Sequence, residues 1–422
     1  MKIKQSKRLE TVSTYYFAKK LAEIAALNAN NEVQIINLGI GSPDLLPPKE
    51  VIDILKTNAD EFDANKYQSY KGQPVLRSAF SEWYKRHFDV SINPDSEVLP
   101  LMGSKEGIMH IHMSLLNDGD EVLVPNPGYP AYSMTAALAG ANTVFYDLKA
   151  ENNWLPDLVE LESQDLSKVK LMWINYPHMP TGASADLVFY GKLVAFAKKH
   201  EIIICHDNPY AFILNDNPIS IMQIEGAQDW CVELISLSKC YNMAGWRVGA
   251  LVGHQNMINT VMKFKSNMDS GMYKPLQLAA AKALSMGQEW MDSLNRVYAS
   301  RKRIAQEIME EIGAEYEEDK VGMFVWAKIK NSRLTSADFC DHILYNAKVF
   351  ISPGHIFGSN GEGYVRISLC SDENTLRTAL DRIRENVTGG QPTINNENLQ
   401  DLRKFESQNL ESKDTFRKSQ NQ

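Results

Sequence analysis

The sequence is poor in the features that would mark an exported, membrane-bound or nucleic-acid-binding chain. Its five cysteines, Cys205, Cys231, Cys240, Cys340 and Cys370, are an odd number with no Cys-x-x-Cys pair. That excludes a disulfide framework and offers no zinc-ligand spacing, so they read as reduced, mostly buried thiols. No apolar run approaches the roughly 20 residues that cross a bilayer. The basic start, MKIKQSKRLETVSTYY, lacks the apolar core and small-residue cleavage site of a signal peptide, and the expectation is a cytoplasmic protein with no membrane partner. No block of Lys and Arg stands out, and 44 basic against 52 acidic residues leave a net charge of -8. A nucleic-acid partner is therefore not expected, because phosphate binding needs clustered cations; small molecules are.

What is present is ample apolar material for two or three units in 422 residues. Residues 1–35 read as a helical arm, with Tyr16, Leu21, Ile24 and Leu27 near helical spacing, leading into the run VQIINLGIG. From about residue 97, the short apolar runs EVLPLM, EVLVP, NTVFYDL, VKLMWIN, EIIICHD, VELISLS and VGALVG alternate with helical segments or loops. This pattern belongs to a mostly parallel sheet covered by helices. Beyond about 285 come a long helix, the run MFVWAKI, a helix near 335–347 and GYVRISLC. The expected organisation is an arm (1–40) joined to the small domain, a large α/β domain (41–285), a small α+β domain (286–387) and a polar tail (388–422), mobile or at most one exposed helix.

Ligands of open α/β sheets gather at the carboxyl ends of strands, and several chemically suggestive residues fall there. In LMGSKEGI a strand end is followed by Gly103, Ser104 and Lys105 and then a helix, whose N-terminal N–H groups suit a phosphate; taken alone, Ser104 as an ordinary N-cap is the simpler reading. In EIIICHDNPY, Asp207 follows a buried strand. It is a helix cap, or else a buried carboxylate that needs a cationic partner such as a pyridinium. In SLSKCYNMAGWRVG, Lys239 at a strand end can have its ammonium pKa depressed and form a Schiff base, while Arg247 offers a bidentate fork for phosphate. Ser236 and Ser238 alternate onto one strand face as hydroxyl donors. The plain alternative is a pair of surface cations around a turn. The histidines of HIH (110–112) and His206 give no metal site, because residues two apart on a helix diverge and strand neighbours face opposite ways.

Together SLSKCYNMAGWRVG, DNPY, GSKEGI and NLGIGSPD resemble the fold type I pyridoxal-phosphate enzymes. The class I/II aminotransferases are the nearest match, and the GSKEGI and NMDSGMYKPLQ wording is similar to the LL-diaminopimelate and aspartate aminotransferase-like branch. The resemblance spans about residues 10–385. It implies a large mostly parallel-sheet domain with a smaller α+β domain, pyridoxal 5'-phosphate as cofactor, amino-acid and 2-oxo-acid substrates, and a homodimer with shared sites. Residue by residue it implies that Lys239 carries the cofactor and shuttles the proton, that Asp207 pairs with the pyridine nitrogen, that Tyr210 bonds the ring 3'-oxygen and that Tyr129 stacks on the ring. The backbone groups of Ser104 and Lys105, with Ser236, Ser238 and Arg247, would hold the phosphate, with Tyr67 reaching the partner's site and Tyr70 structural. Arg366 in GYVRISL would clamp the α-carboxylate, Gly41 would approach the same group, and Tyr15 would close over the ligand.

One departure stands out. Where the family reads Pro-Asn-Asn-Pro-Thr-Gly, this chain reads YPHMPTG, so Met179 replaces an asparagine that donates to the 3'-oxygen. A thioether donates nothing; an altered pH optimum or an unusual substrate follows unless His178 or a water compensates. Lys105 is compatible with an acidic or diaminopimelate-like donor. Two other readings keep the cofactor: a lyase or decarboxylase on the same fold, and a non-catalytic binding module, although the residues before VQIINLGIG show no helix-turn-helix pattern.

Overall fold

A computed structural model of the chain describes residues 3–12, 16–30, 32–330 and 334–387. Tyr15 and the 388–422 tail lie outside the described residues. The arm forms the helix Tyr16–Asn30 and a short strand β1 (Ile36–Asn37). β1 pairs in parallel with Val349–Phe350, far along the chain. Ile24 and Ile35 of the arm join Leu344 and Phe350 in a small core of their own.

The seven apolar runs become β2 (Val98–Leu101), β3 (Glu121–Asn126), β4 (Asn142–Asp147), β5 (Val169–Ile174), β6 (Ile203–Asp207), β7 (Cys231–Ser236) and β8 (Gly249–Gly253). They lie in the order β2-β8-β7-β6-β5-β3-β4, parallel throughout except that β8 runs antiparallel to both its neighbours. Because successive strand residues face opposite sides, the sheet feeds two cores. Leu99, Leu123-flanking Val122 and Val124, Leu171, Trp173, Val232 and Leu234 pack on one side, while Val98, Leu123, Met172, Ile174, Ile204 and Ile235 pack on the other. Burial on both faces explains why these strands read as continuous apolar runs rather than alternating ones.

The remaining strands are β9 (Ala314–Tyr316), β10 (Phe324–Ile329), β11 (Val349–Phe350), β12 (Ser352–Pro353) and β13 (Tyr364–Ser368). β12, β13, β10 and β9 form an antiparallel sheet in that order, with the helices Gln288–Glu311, Ser336–Ala347 and Glu373–Asn386 around it. The register sets Arg366 of β13 opposite Trp326 and Ser352. Arg301, in the long helix, joins this unit to the loop after β1: its guanidinium grips both oxygens of Asp44 at 2.6 and 2.8 Å and the Leu369 carbonyl at 3.0 Å.

Three local expectations change. Gly103, at φ +86°, is the N-cap of the helix Ser104–Leu115, and Ser104 is its first residue with no side-chain cap bond; a residue with positive φ at the strand end favours glycine there. Asp207 ends β6 without capping a helix, since turns follow it. Ser238 does not share a strand face with Ser236. β7 stops at Ser236, whose Oγ accepts the Ser238 N–H at 3.2 Å and caps a one-turn helix, Leu237–Cys240. All five cysteines are free and buried.

Candidate active site

The carboxyl ends of β5, β6 and β7 open, together with β13 and the arm, onto a cavity of about 620 Å³. Lys239 owes its place to the one-turn helix after β7. Its Nζ donates to the Gly41 carbonyl at 2.6 Å. A Cβ on Gly41 would stand 2.5 Å from the Phe324 ring, so only glycine lets that carbonyl approach. Burial lowers the Lys239 ammonium pKa, and the nearby Arg366 and Arg247 cations lower it further against the opposing pull of Cys370 and Asp207. An amine in this state is a better nucleophile than an exposed lysine.

Asp207 is buried at 5 % exposure. Burial drives its carboxyl up to about 6, opposed by the hydrogen bond from Tyr132 and by His206 and Lys239. Tyr132 Oη donates to Oδ2 at 2.9 Å, and the Tyr132 ring stacks on Trp173 with centroids 4.8 Å apart. Oδ1 is buried without a hydrogen-bond partner. An unsatisfied carboxylate oxygen costs about 1–3 kcal/mol and fits a cationic N–H from a ligand. Asn175, at the end of β5, carries the backbone here: its Nδ2 donates to the Asp207 carbonyl at 2.6 Å and its Oδ1 accepts the Met179 N–H at 2.8 Å.

At the other edge, Gly103, Ser104, Ser236, Ser238 and Arg247 form a polar cradle at a helix N-terminus. A Cβ on Gly103 would come within 2.2 Å of Arg247 Nη2. The arginine takes a left-handed backbone at φ +56° and donates from Nη1 to the Ala244 carbonyl at 2.9 Å. Free helix N–H groups, two hydroxyls and a guanidinium are the donor set of a phosphate site.

Arg366 is 3 % exposed. Nη2 donates to the Gly39 carbonyl at 2.6 Å, and Nη1 faces the Met179 thioether sulfur at 3.2 Å. Its guanidinium carbon lies 4.0, 4.6 and 5.8 Å from the ring centres of Phe324, Phe357 and Phe17. His178 does not take the place of the missing amide. It is absent from the cavity wall, its Nδ1 engages the Thr181 hydroxyl at 2.8 Å, and burial lowers its pKa to about 3.

Lys105, Tyr129 and Tyr210 also line the cavity. Tyr67 does not: it is 92 % exposed and stands outside the wall of its own chain's cavity. Tyr132 and Asn175 were missed from sequence. Only Tyr132's place one helical turn beyond the NPGYP tyrosine could have signalled it. Of the histidines, His112 accepts from Trp173 Nε1 at 2.7 Å and His206 Nδ1 meets Glu233 at 2.6 Å. His110 instead comes together with Glu106 and Asp269, ligand atoms within 4.8 Å of one another. Lys265 already occupies Asp269, its Nζ 2.6 Å from each oxygen.

The model of the class I and II aminotransferases matches residues 33–383. The chain is a class I/II aminotransferase. It is 41 % identical over 383 residues to the LL-diaminopimelate aminotransferase of Dehalococcoides mccartyi strain 195, covering 90 % of this chain and 98 % of that one. The LL-diaminopimelate aminotransferase of Aquifex aeolicus is 40 % identical over 381 residues, with the same coverages. Among solved structures, substrate-bound BacF from Bacillus subtilis superposes with a TM-score of 0.86 at 39 % identity, over 91 % of this chain and 98 % of BacF. Aspartate aminotransferase from Thermotoga maritima gives 0.83 at 28 %, over 90 % and 99 %. The aminotransferase therefore has the fold type I architecture, and it moves amino groups.

Proposed function

We propose that the aminotransferase uses pyridoxal 5'-phosphate held by this cavity, and that it moves the amino group of an L-amino acid to a 2-oxo acid in two half-reactions. The observation that carries the reading is the orphaned Oδ1 of Asp207 facing the same cavity as a desolvated Lys239. When bound, the cofactor supplies an electron sink for the pair left on the substrate Cα. Asp207 would accept the pyridine N–H, with Tyr132 and Asn175 fixing its carboxylate and backbone. The backbone groups of Ser104 and Lys105, with Ser236, Ser238 and Arg247, would take the phosphate, Tyr129 would face the ring and Tyr210 would serve its 3'-oxygen. Lys239 would hold the cofactor through Nζ and is the group placed to carry the proton taken from the substrate Cα. Arg366 would hold the α-carboxylate beside the Gly41 backbone; Tyr15, expected from the sequence to close over the ligand, lies outside the described residues. The relatives' name points the donor towards diaminopimelate, and Lys105 is the cation that an acidic or long polar side chain would meet.

The test is the absorbance spectrum of the purified protein and of Lys239→Ala during titration with amino acids. Conversion of the long-wavelength band by an amino acid in wild type alone supports the assignment; discharge by Lys239→Ala at the wild-type rate sinks it. A homodimer with Tyr67 crossing between sites belongs to the same reading. The exposure of Phe62 (91 %), Tyr67 (92 %) and Leu46 (76 %) on one chain supports it, and light scattering at working concentration decides it. Cytoplasmic residence is supported by five unpaired thiols and is checked by cell fractionation. Among the described residues no helix is long and apolar enough to cross a membrane.

A further inference from the structure

His206 precedes Asp207 on β6 and lies opposite Glu233 of β7 in the parallel register; both side chains are wholly buried. Neighbouring strand residues face opposite sides, so His206 points away from the cavity that Asp207 meets, and neither it nor Glu233 lines that cavity. Glu233 is surrounded by donors. Its Oε1 accepts from the hydroxyls of Tyr84, in the helix Pro74–Phe88, at 2.7 Å and of Ser220 at 2.8 Å, and its Oε2 accepts the Ile221 N–H at 3.3 Å. Donors on both oxygens favour the ionised carboxylate. His206 Nδ1 stands 2.6 Å from Oε2 and donates to it. On the other side of the ring, Nε2 lies 3.0 Å from the Tyr176 carbonyl and 3.2 Å from the Tyr190 hydroxyl. A carbonyl only accepts, so Nε2 carries a hydrogen as well, which makes the ring an imidazolium.

We propose that His206 is a positioning residue of the aminotransferase: its imidazolium, anchored by Glu233, keeps the Asp207 carboxylate ionised from the side of the sheet away from the cavity. This rests on the reading in which Asp207 pairs with a pyridinium. A buried ion pair adds little stability over an apolar pair of similar volume, so stability alone gives no reason to bury two charges here. Its electrostatic effect has a direction. The cation belongs to the residue next to Asp207, and with Tyr132 and Lys239 it opposes the burial that drives the Asp207 carboxyl up. Facing the imidazole are Glu233 from β7, Tyr176 from the loop after β5 and Tyr190 from the helix Leu187–His200. Lys239 is engaged with the cofactor in this reading, whereas His206 is walled off from the cavity and holds its charge whatever the ligand.

The experiment measures the dissociation constant of pyridoxal phosphate for the apo-protein between pH 5 and 9, in wild type and in the double variant His206→Asn, Glu233→Gln, which removes both charges and leaves two amides that can bond each other. Loss of the nearer cation should move the acid limb to higher pH by about half a unit or more, with the affinity above that limb within about threefold of wild type. Coincident limbs, or one loss of affinity common to every pH, give His206 a structural role only and overturn the inference, with the aminotransferase reading left standing. A wild-type protein that binds no pyridoxal phosphate overturns that reading, and this inference with it. Neutron diffraction from the wild-type holoenzyme at neutral pH does not depend on the variant folding. Hydrogen on both ring nitrogens of His206 is the expected result, and a ring protonated on one nitrogen alone overturns the proposal.

Discussion

Tyr132→Phe isolates one hydrogen bond without disturbing its surroundings, because phenylalanine keeps the stack on Trp173 and removes only the donor to Asp207 Oδ2. Burial already places the Asp207 carboxyl at about 6, and the Tyr132 bond is the first of the influences that hold it down. A hydrogen bond to a charged acceptor is worth about 1.5–3 kcal/mol. At 1.36 kcal/mol per pH unit, its loss should move the carboxyl up by about one to two units. Only the ionised carboxylate pairs with a pyridinium, so cofactor affinity should fall as the pH drops through the Asp207 pKa, and it should fall at higher pH in the variant. The assay is the dissociation constant of pyridoxal phosphate for the apo-protein between pH 5 and 9, followed by absorbance or quenching. The pyridine nitrogen titrates in both proteins, and the difference between the two curves therefore reports Asp207 alone. Coincident acid limbs would refute the role given to Tyr132. Folding stability carries the opposite sign. A native carboxyl above its unfolded value of 3.8 loses stability as pH rises from there to about 6, and the variant should extend that decline to higher pH.

Three further substitutions probe separate parts of the site. Gly103→Ala places a methyl within 2.2 Å of Arg247 Nη2 at a backbone φ of +86°; displacement of the guanidinium should weaken cofactor binding by about tenfold or more, since a charge-assisted phosphate contact is worth roughly 1.5–3 kcal/mol, and isothermal titration with pyridoxal phosphate checks it. Met179→Asn puts back an amide donor beside Arg366 and should lower, by about one unit, the pH at which the bound cofactor changes colour; a spectrophotometric titration that overlays the wild-type curve counts against the argument. Asp44→Ala leaves Arg301, whose side chain is 3 % exposed, without its bidentate partner. It should cost about 3 kcal/mol in chemical denaturation, and a loss below about 1 kcal/mol would show that the pair does not tie the long helix to the loop after β1.

Strand runs and the glycine-rich turns were legible because each is a local signal. VKLMWIN and EIIICHD read as buried strands because both faces of β5 and β6 are covered, and the strand ends then located Asp207 and Lys239. The serines were misjudged because a strand pattern does not announce a cap: β7 ends where Ser236 Oγ accepts the Ser238 N–H at 3.2 Å and the chain turns into the helix Leu237–Cys240. Tyr132 and Asn175 were invisible on the same account: a tyrosine inside an apolar helix and an asparagine after a strand look like packing and turn chemistry until the fold brings each to Asp207.

The sequence by itself determined the apolar periodicity, the order of the elements and the residue types at the strand ends, which are properties of neighbours along the chain. Tertiary structure alone decided the electrostatic state of the site and the nature of its walls. Lys239 and Asp207 owe their shifted pKa values to burial, and burial sums contributions from distant segments. The aromatic surround of Arg366 likewise gathers Phe17, Phe324 and Phe357 from three separate parts of the chain, so no local pattern of residues could announce it.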